Sequence, residues 1–229
     1  MAANREDQHE GGRQDEGVRQ GVGVLQSAGV RQDDAPMFQG YQLYGDSILS
    51  RMTHLCNPPV RATYDHRSRQ KRIGFIAHGQ TVCQLAKAIR SGRSNVTDKA
   101  IVLIGTNDIL KVDQEDKTKE GISEIIEMLS SLEEVLILTI PPVPRSCENP
   151  DLRKQKVEAF NSYLKEIVLE KENIHIIDVH AKFLNEEGEA NLDLYNKNFS
   201  ISGMEDLIHP NREGMDLIVE SLKDFISTS

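Results

Sequence analysis

The sequence predicts an α/β fold in which about five parallel strands are covered by helices on both faces, and two observations carry that expectation. Short runs rich in β-branched and other apolar residues, bounded by polar or turn residues, occur at 73–77, 100–104, 135–140 and 174–178. This is the pattern of strands buried on both faces. Between them lie segments whose apolar residues recur at helical spacing. Strand and helix in regular alternation give a parallel sheet joined by right-handed crossovers.

The elements follow in order. Residues 1–36 are rich in Arg, Gln, Asp, Glu and Gly, and their few apolar residues, among them Val18, Val22 and Val30, stand apart. Such a stretch buries too little surface to offset its ordering entropy, so 1–36 is expected to be a disordered polar tail preceding one domain over 37–229. The first strand, 41–44, is brief and half polar, and it runs into Gly45-Asp46-Ser47, where a helix begins. After the strand at 73–77, Val82, Leu85, Ala86 and Ile89 share one side of a helix over 82–89. After the strand at 100–104, Ile122, Ile125, Ile126 and Leu129 do the same over 122–132. The strand at 135–140 leads through Pro141-Pro-Val-Pro-Arg145 to a helix over 152–169, and a last helix occupies 215–226. The connections 51–71, 111–119, 141–150 and 182–205 read as irregular segments that wall a cleft.

Composition narrows the function classes. Apolar residues make up 38% of the 229, with no tryptophan, and no run approaches the ~18 apolar residues of a spanning helix. The amino terminus lacks the features of a secretory signal, so the expected location is cytoplasmic or otherwise intracellular. Cys56, Cys83 and Cys147 lie far apart, without the pairing of zinc ligands or the density of a disulfide scaffold, and read as reduced thiols. A net charge of −9 argues against a nucleic-acid binder that works through its whole surface, while leaving room for local basic patches.

In an open parallel sheet, ligands bind beyond the carboxyl ends of the strands. Gly45-Asp46-Ser47, His78-Gly79-Gln80 and Gly105-Thr106-Asn107-Asp108 follow the first three strands, and Asp206-Leu-Ile-His209 precedes the last helix. Each cluster has an ordinary explanation. Ser47 fits a helix cap, Gly79 a strand-exit turn, Asn107 a turn former and His209 a surface residue in a Pro-Asn turn. Each also has a chemical one. Ser47 at a strand-to-helix turn is a candidate nucleophile, the amide of Gly79 can donate to an oxyanion, and Asp206 can accept from one nitrogen of His209 and leave the other free to take a proton.

Taken together and in this order, Gly45-Asp46-Ser47, Gly79, Gly105-x-Asn107-Asp108 and Asp206-x-x-His209 resemble the four sequence blocks of the SGNH (GDSL-type) hydrolases. The resemblance spans roughly 39–226. It implies a flavodoxin-like three-layer α/β/α sandwich that hydrolyses esters of lipids, sugars or small alcohols without metal or cofactor. It also implies Ser47 as nucleophile, His209 as general base, Asp206 as its orienting acid, and the Ser47 and Gly79 amides with the Asn107 side chain as oxyanion hole. Two departures stand out: the glycine often found a few residues beyond the nucleophile is missing from Ile48-Leu-Ser-Arg51, and Leu207 follows Asp206 where the family commonly has a small residue.

A competing reading comes from the stretch 61–72, where Arg61, Arg67, Arg69, Lys71 and Arg72 accompany one acid, Asp65. It reads either as a solvated charged loop or as a phosphate-contacting patch, extended by Arg90 and Arg93. The second option is similar to Oskar-type SGNH-like domains of insects, which implies RNA binding with little or no hydrolysis; a third reading is an inactive interaction scaffold that keeps the motifs only as turn formers. The expected partners are therefore a small ester substrate or RNA, with no membrane span.

Overall fold

The computed structural model describes residues 40–55, 63–65, 70–72, 75–92, 98–110, 114–144, 149–197 and 206–226. In chain order the elements are β1 (Tyr41–Gly45), α1 (Ser47–Leu55), β2 (Thr63–Asp65), β3 (Gln70–Arg72), β4 (Phe75–Ile76), α2 (Val82–Arg90), β5 (Lys99–Leu103), α3 (Thr106–Leu110) and α4 (Glu115–Leu129). They continue with β6 (Glu134–Leu138), α5 (Pro150–Ile167), β7 (Ile174–Ile177), α6 (Val179–Lys182), a 3₁₀ turn (Leu192–Leu194) and α7 (Arg212–Ile226).

Five strands form one all-parallel sheet in the order β4-β1-β5-β6-β7. The chain steps from β1 to β4 on one side and then crosses back to β5 on the other, so the strand order reverses between β1 and β5. That is the switch point of a flavodoxin-like sheet. On one face α1 and α6 pack with α7; on the other α2 packs with α4, and α4 with α5. The result is a three-layer α/β/α sandwich. Residues 100–103 of β5 and 135–138 of β6 are buried without interruption, because helices cover both faces; this is why they read as apolar runs rather than alternating ones.

β1 is half polar in sequence yet lies inside the sheet. Its tyrosines resolve the conflict: the Tyr44 ring stacks on Phe75 with centroids 4.7 Å apart, and the Tyr41 hydroxyl donates to Glu134 on β6. Tyr41 buries its ring and passes its polar tip to a neighbour, whereas Tyr44 is held by stacking, its buried hydroxyl having no hydrogen-bond partner among the described residues.

Several boundaries differ from those the apolar spacing predicts, and local capping explains them. Helix α4 starts at Glu115 rather than 122, because its first turns carry acids suited to the positive helix start and need no apolar face. Helix α5 starts at Pro150, with Asn149 Oδ1 accepting from the Leu152 amide at 3.0 Å. Helix α7 starts at Arg212, where Asn211 Oδ1 accepts from the Gly214 amide at 3.0 Å. The connection expected to be irregular over 51–71 contains an antiparallel pair, β2 with β3, in the register Thr63↔Arg72, Tyr64↔Lys71 and Asp65↔Gln70. Pairing satisfies backbone groups locally even in a charged stretch, a gain that a reading from charge alone overlooks.

The expected tail, 1–36, lies outside the described residues, as do Cys56 and Cys147. Among the described residues no helix is long and apolar enough to cross a membrane.

Candidate active site

The site begins with three strand ends held level. Gly45 is in register with Ile76 of β4 and with Leu103 of β5, and the Ala77 amide extends the ladder by donating to the Gly45 carbonyl at 3.2 Å. A side chain at Gly45 would start 2.3 Å from the Leu103 carbonyl oxygen. Only glycine lets β1 turn into α1 this close to β5. Gly79 has φ +69° in the turn after β4, closed by the Gln80 amide on the Ala77 carbonyl at 3.2 Å.

Asp46, not Ser47, caps α1. Asp46 Oδ1 accepts from the Ile48 amide at 2.9 Å and its carbonyl accepts from the Ser50 amide at 3.1 Å. The Ser47 hydroxyl is thereby left to another partner: Ser47 Oγ donates to His209 Nε2 at 2.8 Å. On the far side of the ring, Nδ1 lies 2.8 Å from both Asp206 oxygens. A carboxylate can only accept, so Nδ1 carries the proton and Nε2 presents its lone pair to the serine.

The turn carrying this pair is fixed from two directions. Asp206 Oδ1 accepts from the amides of Ile208 and His209, at 3.4 and 3.3 Å. The His209 carbonyl accepts from the Asn196 amide at 2.9 Å, beside a Tyr195↔Pro210 bridge, and the Tyr195 hydroxyl donates to the Pro142 carbonyl at 2.6 Å. Loops after β6 and β7 thus hold the imidazole over the end of β1.

Burial pushes the His209 pKa below its ordinary value; the hydrogen bond to Asp206 opposes this, while the charges of Arg51 and, more weakly, His78 reinforce it. The ring is neutral near pH 7 and able to take a proton. For Asp206, burial pushes the carboxyl up, but the His209 hydrogen bond and the charges of His209 and Arg51 outweigh it and hold the group below the usual aspartate range.

A second polar cluster backs the serine. Asn107 Nδ2 donates to Asp46 Oδ2 at 3.2 Å and to the Gln80 carbonyl at 3.0 Å. Gln80 in turn donates to the Phe75 carbonyl at 2.9 Å. Asp108 receives the Val82 amide at 3.0 Å and so serves the start of α2. Asp46 is 1% exposed. Burial, with the Asp108 charge adding to it, pushes its pKa up to about 7 against the bonds from Ile48 and Asn107.

The structure therefore brings Ser47, His209 and Asp206 into one hydrogen-bonded chain, sets Gly79 on the neighbouring strand end, and places Asn107 behind Asp46 with both amide protons engaged. Among the described residues no protein acceptor takes the Ser47 or Gly79 amide. Sequence reasoning passed over two groups. Arg51 Nη2 lies 3.4 Å from Asp206 Oδ2, and His78 Nε2 lies 3.2 Å from the buried Ser50 hydroxyl. Helical spacing from Ser47 was the signal available for both Ser50 and Arg51.

Of the basic stretch, Arg61, Arg67 and Arg69 lie outside the described residues, and Lys71 and Arg72 fall on β3. Arg90 is engaged by Glu124, with Nε 2.8 Å from Oε1, and Arg93 lies outside the described residues. A cavity of about 600 Å³ opens beside Asp108, Leu152 and Phe160, and another of about 260 Å³ beside Pro142, His180 and Leu192. Neither is lined by Ser47 or His209.

The OSK domain family model matches residues 25–227. The chain belongs to the OSK domain family. No curated protein matches this OSK domain by sequence. Its fold is similar to the OSK domain of Drosophila Oskar, with a TM-score of 0.65 at 17% identity over 80% of this chain and 86% of that one. It is similar also to a GDSL-like lipase from Bacteroides thetaiotaomicron, with a TM-score of 0.62 at 19% identity over 82% and 87%. An acetylxylan esterase from Geobacillus stearothermophilus gives a TM-score of 0.55 at 16% identity over 81% and 93%. At these identities the likeness is one of fold.

Proposed function

We propose that this OSK domain is a serine hydrolase of carboxylic esters, acting on acyl or acetyl esters of lipids, sugars or small alcohols. The observation that carries the reading is the continuous chain from Ser47 Oγ through His209 to Asp206, with 2.8 Å at each link. A serine hydroxyl is a weak nucleophile until a neighbouring base removes its proton. As Ser47 Oγ attacks the ester carbonyl, His209 Nε2 takes that proton and Asp206 stabilises the imidazolium. Protonated His209 then gives the proton to the departing alcohol, leaving an acyl-Ser47. A water, deprotonated by His209, releases the acid in the same way.

Charge develops on the carbonyl oxygen in both tetrahedral intermediates. In this reading the Ser47 amide, at the start of α1, and the Gly79 amide receive it, and each such donor is worth about 3 kcal/mol of barrier. Asn107 joins them when it exchanges its bond to Asp46 or Gln80 for one to the oxyanion. The reaction needs no metal or cofactor. Hydrolysis of p-nitrophenyl acetate and of longer acyl esters tests the reading: turnover by the purified protein that disappears in Ser47→Ala supports it, and equal rates in the two proteins contradict it.

Membership of the OSK family favours a second reading, RNA binding through the basic stretch that includes β3. It predicts a gel shift that weakens with salt and with charge reversal at Arg67, Arg69, Lys71 and Arg72. Binding that ignores those reversals excludes the patch. RNA binding alone gives no reason for the Ser47, His209 and Asp206 chain, which is why hydrolysis is placed first.

A further inference from the structure

We propose that Arg51 is a positioning residue for this site, tying the helix that carries the nucleophile to the loop that carries the acid and holding Asp206 in the orientation that receives the His209 Nδ1 proton. The inference rests on the hydrolase reading and adds a residue that the family blocks do not supply.

Geometry is its basis. Arg51 stands four residues beyond Ser47 on α1, so both project from one face of the helix. Its guanidinium Nη2 lies 3.4 Å from Asp206 Oδ2, with the arginine side chain 36% exposed and the aspartate 11% exposed. The backbone holds on Asp206 fall on one oxygen: the amides of Ile208 and His209 both reach Oδ1, at 3.4 and 3.3 Å. Neither amide reaches Oδ2, so resistance to rotation of the carboxyl group falls to the groups on that oxygen. Among the described residues, Arg51 is the group from another element, apart from His209 Nδ1, that holds Oδ2. Opposite charge on that oxygen resists the rotation. The Arg51 charge also adds to the hydrogen bond and charge of His209 in holding the Asp206 carboxyl below the usual aspartate range.

The test compares Arg51→Gln and Arg51→Lys in the full chain by two readouts. The first is kcat and KM on p-nitrophenyl acetate. The second is the downfield proton signal of His209 Nδ1–H, identified by its absence from His209→Gln and observed without any turnover. Arg51→Gln is expected to lower kcat at least tenfold with KM within about twofold, and to broaden or abolish the Nδ1–H signal, while Arg51→Lys restores both most of the way. An unchanged signal in Arg51→Gln overturns the proposal. So does equal damage in the two variants accompanied by a lowered melting temperature, which marks a purely structural role. If the wild-type chain turns over no ester, the hydrolase reading fails by itself, and the Nδ1–H signal still decides whether Arg51 orders the pair.

Discussion

Two carboxylates flank Ser47 and meet opposite surroundings. Asp206 sits against His209 and Arg51 and is held below the usual aspartate range. Asp46 sits wholly inside, near Asp108, and is pushed up to about 7. One residue type thus meets two environments: Asp206 is held charged against His209 Nδ1, whereas Asp46 caps α1 and ties down Asn107. Groups whose surroundings drive their pKa values apart are those whose roles can be told apart.

The sharpest way to break this division is to neutralise each carboxylate in turn. Asp206→Asn removes the charge that stabilises the imidazolium and permits the wrong tautomer, so kcat is expected to fall about 10³-fold or more. Asp46→Asn, with the α1 cap still able to accept from Ile48, is expected to lower kcat by less than about tenfold. Equal losses in the two variants, both folded by circular dichroism, would end the distinction.

A smaller effect probes the link between the two clusters. Asn107→Ala is expected to lower kcat about 10²-fold if the amide leaves Asp46 or Gln80 to join the oxyanion hole. A change of twofold or less would make it a structural tie alone.

The two pH dependences come next. Asp46 has a folded-state pKa raised from 3.8 to about 7, so its contribution to stability is fully present below the unfolded value and is lost as pH rises through about 7. Across that window the effect is on the order of 4 kcal/mol. Thermal melts of the wild-type chain should therefore weaken from pH 5 to pH 8, and Asp46→Asn should flatten that trend. His209 shifts the other way: its lowered pKa places the acid limb of kcat/KM below 6.5. A limb above that value would mean that the burial of His209 is relieved in solution.

Much of this site could be read from the chain because its parts sit at strand ends. Four polar clusters, each after an apolar run or before a helix, converge once the sheet is parallel, so Ser47, Gly79, Asn107 and the Asp206 and His209 turn stood out as candidates from their order together with their resemblance to the hydrolase blocks. What was not legible depends on contacts between elements. Serine and aspartate are equally good caps in sequence, and only the fold shows Asp46 taking the Ile48 amide and releasing the Ser47 hydroxyl. Asn107 looks like a ready donor until Asp46 and Gln80 are seen to hold both its protons. Arg51 stands where the missing glycine was noted, yet its role needs the distance to Asp206. Among the elements, β1 was hard to read because its tyrosines hide a buried strand behind polar atoms, and the pairing of β2 with β3 because backbone bonding leaves no mark in charge.

Everything proposed for this site depends on the activation of Ser47 by His209. That activation is tested most directly by labelling the full chain with a fluorophosphonate probe and locating the modified residue by mass spectrometry. Labelling is expected at Ser47 and falls to background in Ser47→Ala and His209→Gln. Absence of labelling in the folded wild-type chain, or labelling of Ser47 that survives loss of His209, would contradict it.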